Sequence, residues 1–151
     1  MPEFKAINSS DPIKQIIKSA FDMEVDLEGG WGYDEESATI INSTNNLPVE
    51  QFEHTLATMR AYIEMNMTLS EDSRYGSINP KELSRESIAG TNYIKVTYEI
   101  TGMKEDLYAK FINAYKKGYG TPEFDMSDHF ERRKTATLHR EVEHWFQHNF
   151  V

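Results

Sequence analysis

The sequence of 151 residues contains no cysteine. Disulfide frameworks, thiolate zinc sites, iron–sulfur clusters and a cysteine nucleophile are excluded together. No stretch approaches the ~20 apolar residues of a membrane span. The first residues, MPEFKAINSSDPIKQIIKSA, hold no apolar run of secretory length. The expected compartment is the cytoplasm, with no membrane partner. Neither GxxxxGKS/T nor GxGxxG occurs, which removes the two common phosphate-cradling loops, and there is no GxSxG elbow and no DxDxDG calcium loop. A last absence is local: between Lys18 and Arg60 there is not one Lys or Arg.

That gap locates the charge. Asp and Glu total 25 against 16 Lys and Arg, a formal net charge of −9, which argues against a direct nucleic-acid partner. The gap holds Asp22, Glu24, Asp26, Glu28, Asp34, Glu35, Glu36, Glu50 and Glu53, whose nine carboxylates equal the whole excess. The rest of the chain is neutral. With 38% hydrophobic and 27% charged residues, the composition fits one soluble domain spanning 1–151.

Periodicity supplies the elements. Ser10 or Asp11 can cap a helix with Pro12 in its first turn, and Ile13, Ile16, Ile17, Ala20 and Phe21 form one apolar stripe at helical spacing. Met23, Val25 and Leu27 alternate with Asp22, Glu24, Asp26 and Glu28, the period of a half-buried strand that Gly29 and Gly30 end. A second short strand around Ala38 and Ile40 closes a hairpin across GGWGYD. Pro48 opens a second helix through Val49, Phe52, Leu56 and Met59, and from Tyr62 the alternation of Ile63, Met65, Met67 and Leu69 predicts a strand. Residues 70–90 read as a long connection, and Ile94, Val96, Tyr98 and Ile100 as the clearest strand. A third helix is expected from Met103 to Gly118, and a fourth from Asp125–Ser127 nearly to the C-terminus. The expected fold class is α+β, in the order α-β-β-α-β-β-α-α. Amphipathic strands of this kind form an antiparallel sheet of about four strands with helices packed on one face.

If Asp22, Glu24, Asp26 and Glu28 share a strand face, their Cα atoms stand about 6.5–7 Å apart. Each adjacent pair then repels by roughly 0.6 kcal/mol in a water-like dielectric, a mild strain that a cationic partner relieves. Equally, charge on an edge strand simply blocks unwanted strand addition. Trp31 and Tyr33 at the hairpin tip are interface-anchor residue types beside this row. Alternatively they fold back as a plug on the core edge. Glu36 extends the acidic surface.

Four of the five histidines follow residue 128. On a helix, Glu141, His144 and His148 meet on one side at i, i+3 and i+4 spacings that suit a divalent ion such as zinc. His139 and Glu143 form another i, i+4 pair. No other cofactor is expected. Helix-dipole stabilisation by histidine near a helix end accounts for the same residues without metal.

The leading functional expectation is a protein-binding domain of adaptor, inhibitor or immunity type. Asp22, Glu24, Asp26, Glu28 and Glu36 would steer a basic partner, and Trp31 and Tyr33 would anchor it. No enzymatic activity is required by this reading. One alternative is a metal-assisted hydrolase using Glu141, His144 and His148. Another is a small-molecule pocket between the open sheet face and the 70–90 connection, with Tyr93 and Lys95 in its lining. Trp145, Phe146 and Phe150 on the fourth helix can pack within the domain or across a homodimer.

Overall fold

A computed structural model of the chain describes residues 4–8, 10–104 and 137–149, together with residues 110, 112, 113 and 116–118, which are helical. The first helix, α1 (Ile13–Phe21), buries Ile13 and Ile17 as its stripe predicts. Its cap differs from expectation. The N-cap position is Pro12, whose side chain has no polar atom to cap with; its carbonyl accepts from the N–H groups of Gln15 and Ile16 at 3.0 and 3.2 Å. The helix ends at Asp22, which takes the left-handed conformation at φ 52°.

That ending revises the acidic strand. Because Asp22 belongs to the helix cap, regular strand pairing begins only at β1 (Leu27–Gly29), antiparallel to β2 (Thr39–Ile41). The hairpin is as expected. The alternation also survives in burial: Met23 and Val25 pack on the core while Asp22, Glu24, Asp26 and Glu28 are exposed. The four carboxylates do not share one strand.

The second helix, α2 (Val49–Thr68), runs for 20 residues, so Ile63 to Thr68 are helical rather than the expected strand. The residues following it are not a loop. After a single 3-10 turn at Glu71–Ser73, β3 (Tyr75–Ser87) pairs with β4 (Tyr93–Lys104). As an edge strand, β3 accepts Pro80 without losing a needed ladder donor. A register shift between Glu82 and Ser84 bulges the strand at Leu83. Met103 is in β4, not in the third helix; the remainder of that helix lies largely outside the described residues, as do residues 125–136 of the fourth.

The largest correction concerns residues 137–148, which form a strand, β5 (Thr137–His148), in place of the fourth helix. It sits at the centre of a five-stranded mixed sheet ordered β1-β2-β5-β4-β3, antiparallel to β4 and parallel to β2. The observed fold is thus α+β, but its sheet has five strands and is not wholly antiparallel. Phe52, Leu56 and Met59 of α2 share the core with Val96, Tyr98 and Ile100 of β4 and Phe146 of β5. No helix among the described residues is long and apolar enough to cross a membrane.

Candidate functional site

The strand geometry of β5 redistributes the histidine cluster. Leu138, His144 and Phe146 are buried on the inner face, which α2 covers, whereas His139, Glu141 and Glu143 are exposed on the other. Glu141 therefore points away from His144 and His148, and the expected metal triad is pulled apart. No group of three His, Asp or Glu among the described residues is placed to hold a metal ion. His139 meets Glu99 at 3.4 Å rather than Glu143, whose carboxylate lies 3.8 Å from Lys95.

The aromatic loop is also turned inward. Trp31 is only 6% exposed and belongs to the core, and Tyr33 is half-buried. The Tyr33 hydroxyl donates to Glu64 Oε2 at 2.6 Å and accepts from the Ile7 N–H at 2.9 Å. The loop holds itself in shape: Ser37 Oγ accepts from the N–H groups of Tyr33 and Asp34, and Asp34 Oδ1 accepts from the Ser37 N–H. Those Ser37 bonds hold the Asp34 carboxyl below its usual range. Gly32 takes φ +80° where the loop meets β5, and its carbonyl accepts from the Trp145 N–H at 2.8 Å. A Cβ there would lie 2.3 Å from His144 Cδ2, so only glycine fits.

The feature that sequence reading missed is the charge buried under α2. Glu53, Arg60 and Glu64 are 0%, 2% and 3% exposed and face the sheet. Their spacing of seven and four residues places them on one side of the helix. Buried charge is costly unless paired, and each finds partners. Glu53 Oε2 lies 3.1 Å from His148 Nε2, and Glu53 Oε1 is 3.0 Å from Arg85 Nη1, close enough for an ion pair without the alignment of a hydrogen bond. Burial pulls the Arg85 pKa down, but its hydrogen bond to Glu82 and the ion pair with Glu53 outweigh this and raise it. The nearby Tyr98 hydroxyl is buried, and burial together with the Glu53 charge raises its pKa.

The second group surrounds Arg60. Its Nη1 donates to the Trp31 carbonyl at 3.1 Å and its Nη2 to the Glu143 carbonyl at 2.8 Å, while its guanidinium stands 4.7 Å over the Tyr33 ring. Burial lowers its pKa, and the neighbouring Arg140 charge contributes in the same direction. Arg140 Nη1 donates to Glu64 Oε1 at 3.2 Å, and Phe4 covers the Arg140 guanidinium at 4.1 Å. Glu64 thus accepts on both oxygens. Burial, then the Glu64 hydrogen bond, raises the Tyr33 pKa, so the phenol stays protonated as a donor.

These residues open onto a cavity of about 370 Å³ lined by Phe4, Ala6, Tyr33, Arg60, Glu64, Arg140, Val142 and Glu143. The segment 4–8 forms one wall, tied down by the Tyr33 bond and by the Lys5 N–H donating to Thr68 Oγ1 at 2.8 Å. Deeper in the sheet, His144 is fully buried between Thr39 and Phe146. Thr39 donates its one hydroxyl hydrogen to the Gly30 carbonyl at 2.7 Å, so its 3.1 Å contact with His144 Nε2 requires Nε2 to carry the proton. His144 Nδ1 is then an unprotonated acceptor, with no hydrogen-bond partner among the described residues. Burial, reinforced by the Arg60 charge, drives the His144 pKa well below its usual value.

Tyr93 and Lys95 do not line this cavity. Lys95 lies on the opposite sheet face, 3.3 Å from Glu86 and 5.8 Å from the Trp145 ring centre. No known protein family, curated protein or solved structure matches the chain.

Proposed function

We propose that this protein binds a small organic molecule in the cavity between segment 4–8, α2 and β5. The observation that carries this reading is the convergence of Arg60, Glu64, Arg140 and Tyr33 on one recess with apolar walls. A cavity of about 370 Å³ is large enough for a compact ligand. Three charged side chains held largely out of water are an expensive arrangement, since desolvating each ion costs several kcal/mol that pairing often repays only in part. Apolar residues would fill the same space more cheaply, so the polar set supports a binding role.

The test is a ligand-observed NMR screen of small aromatic and aliphatic acids, amides, amines and alcohols. Saturable binding by at least one class, abolished in a folded Val142→Trp variant whose indole fills the recess, is the expected result. Binding that Val142→Trp leaves intact places the ligand elsewhere and sinks the proposal.

The exposure of Asp22, Glu24, Asp26, Glu28 and Glu36 supports a second reading, in which a basic protein docks on this edge. Trp31 and Tyr33 do not serve it as anchors, being engaged inside. Pull-downs at low and high salt compare the wild type with Glu24→Lys/Asp26→Lys; a partner retained equally by both removes this reading.

A further inference from the structure

Within the binding role proposed above, on which this inference rests, we propose that the ligand carries a carboxylate as its single charge and that Arg140 receives it. Arg140 lies on the inner side of β5 with its side chain 17% exposed. A guanidinium carries five N–H donors in a planar fork. The Arg140 side chain makes one described hydrogen bond, from Nη1 to Glu64 Oε1, and among the described residues its other guanidinium donors meet no protein acceptor. The Phe4 ring at 4.1 Å covers the guanidinium from one side. What remains is an edge of parallel donors facing a recess, the geometry that matches the two oxygens of a carboxylate.

The charge in the recess sets the valence of the ligand. Of the four ionisable groups that line it besides Tyr33, Glu143 contributes its backbone carbonyl, because its carboxylate is on the far side of the sheet beside Lys95. Among the described residues Arg60 and Arg140 therefore face Glu64 alone, and one positive charge is left over. A monoanion balances it. A dianion would leave excess negative charge beside Glu64, and a cationic ligand would add to the two guanidiniums. Arg60 is not the receiver, since it is only 2% exposed and each of its terminal nitrogens already donates to a carbonyl, of Trp31 and of Glu143. Its role is positioning: it ties the Trp31 backbone to β5 and supplies a fixed positive charge. Phe4, Ala6 and Val142 supply the apolar wall, so the body of the ligand is hydrocarbon or aryl.

The test is calorimetric titration of the wild-type protein with benzoate, benzamide, phenylphosphonate and benzylamine, four probes that share a ring and differ in the head group. Benzoate is expected to bind about tenfold or more tighter than benzamide, as a charge-assisted bidentate contact implies. It should also bind more tightly than phenylphosphonate and benzylamine. Arg140→Gln should remove most of the ratio between benzoate and benzamide affinity, and Arg140→Lys should restore that ratio only in part. Should Arg140→Gln not fold, the wild-type Arg140 Nε–H resonance provides the same information, moving with benzoate and not with benzamide. Equal binding of benzoate and benzamide, or tightest binding of phenylphosphonate, overturns the carboxylate assignment and leaves the pocket standing. Failure of all four probes, joined to a blank result in the wider screen, overturns both.

Discussion

The nine carboxylates between Lys18 and Arg60 meet two opposite fates. Eight, from Asp22 to Glu50, stand in solvent, where their described cationic contacts are Lys18 with Asp22 and Glu24 at 3.2 and 3.6 Å. Asn42 donates to Asp26 and Glu28 at 3.2 Å. The ninth, Glu53, is fully buried and begins a series of charges along α2 in which Arg60 and Glu64 are equally enclosed. Carboxylates on the outer edge cost the fold little because water and salt screen them. Those inside are held by near-complete pairing, and removing one partner exposes the fold to the desolvation cost of the other. Charge abundance in a sequence thus says little about which charges the structure depends on.

The sharpest way to break this contrast is Arg60→Met, which strips the Trp31 and Glu143 carbonyls of their buried donor and removes a cation from beside Glu64. A loss of about 3–5 kcal/mol in urea unfolding is expected; a loss no larger than that of a surface substitution would erase the distinction. Gly32→Ala comes next, because its Cβ collides with His144 and with the Trp145 carbonyl, 2.7 Å away, at a positive φ. Roughly 2–3 kcal/mol should be lost, read from the same denaturation. Full stability in that variant would mean that the loop does not press on β5.

A smaller effect is pH-dependent. Above about pH 6.5 the His144 imidazole is neutral whether the chain is folded or not. Below it the unfolded chain takes up a proton that the folded chain, with its depressed pKa, refuses, so stability falls as pH drops, by at most about 1.4 kcal/mol per unit from this group. His144→Gln should flatten that slope when unfolding is measured from pH 7 to 5, and an unchanged slope would assign the acid sensitivity to other groups. The smallest effect belongs to the outer edge: Glu24→Lys/Asp26→Lys should shift stability by no more than about 0.5 kcal/mol, with a response to added salt that differs in sign from the wild type. A large loss there would show that the acidic edge is structural after all.

The buried charges also explain what could be read from the sequence. The Ile13 to Phe21 stripe and the alternation from Ile94 to Ile100 are apolar where they face inward, the 27–41 hairpin departs from this at the buried Thr39, and all three emerge from periodicity. Along β5 the inward positions run Leu138, Arg140, Val142, His144, Phe146 and His148, so half of the signal expected of a strand is polar. Meanwhile Leu138, Val142, Trp145 and Phe146 fall by chance at helical spacing. On α2 the enclosed Glu53, Arg60 and Glu64 interrupt the stripe in the same manner, and the alternation of Ile63, Met65 and Met67 imitates a strand. β3 shows little periodicity because, as an edge strand, it leaves most of residues 81–87 exposed. The residues that concealed these elements include those that line the cavity. Polar groups at core positions obscured the fold and marked the candidate site together.

The position of β5 has a consequence for the order of events during synthesis. It lies between β2 and β4 in the sheet but follows both in the chain, and its contact with Thr39 spans 105 residues. As the polypeptide leaves the ribosome, the β1–β2 hairpin and the β3–β4 hairpin emerge as two separate half-sheets, each with an open edge awaiting the same strand. Neither can join the other through this sheet until residues 137–148 are available, so from the emergence of β4 to that of β5 the nascent chain exposes two strand edges. Release of that last strand is the event that turns two aggregation-prone fragments into one sheet.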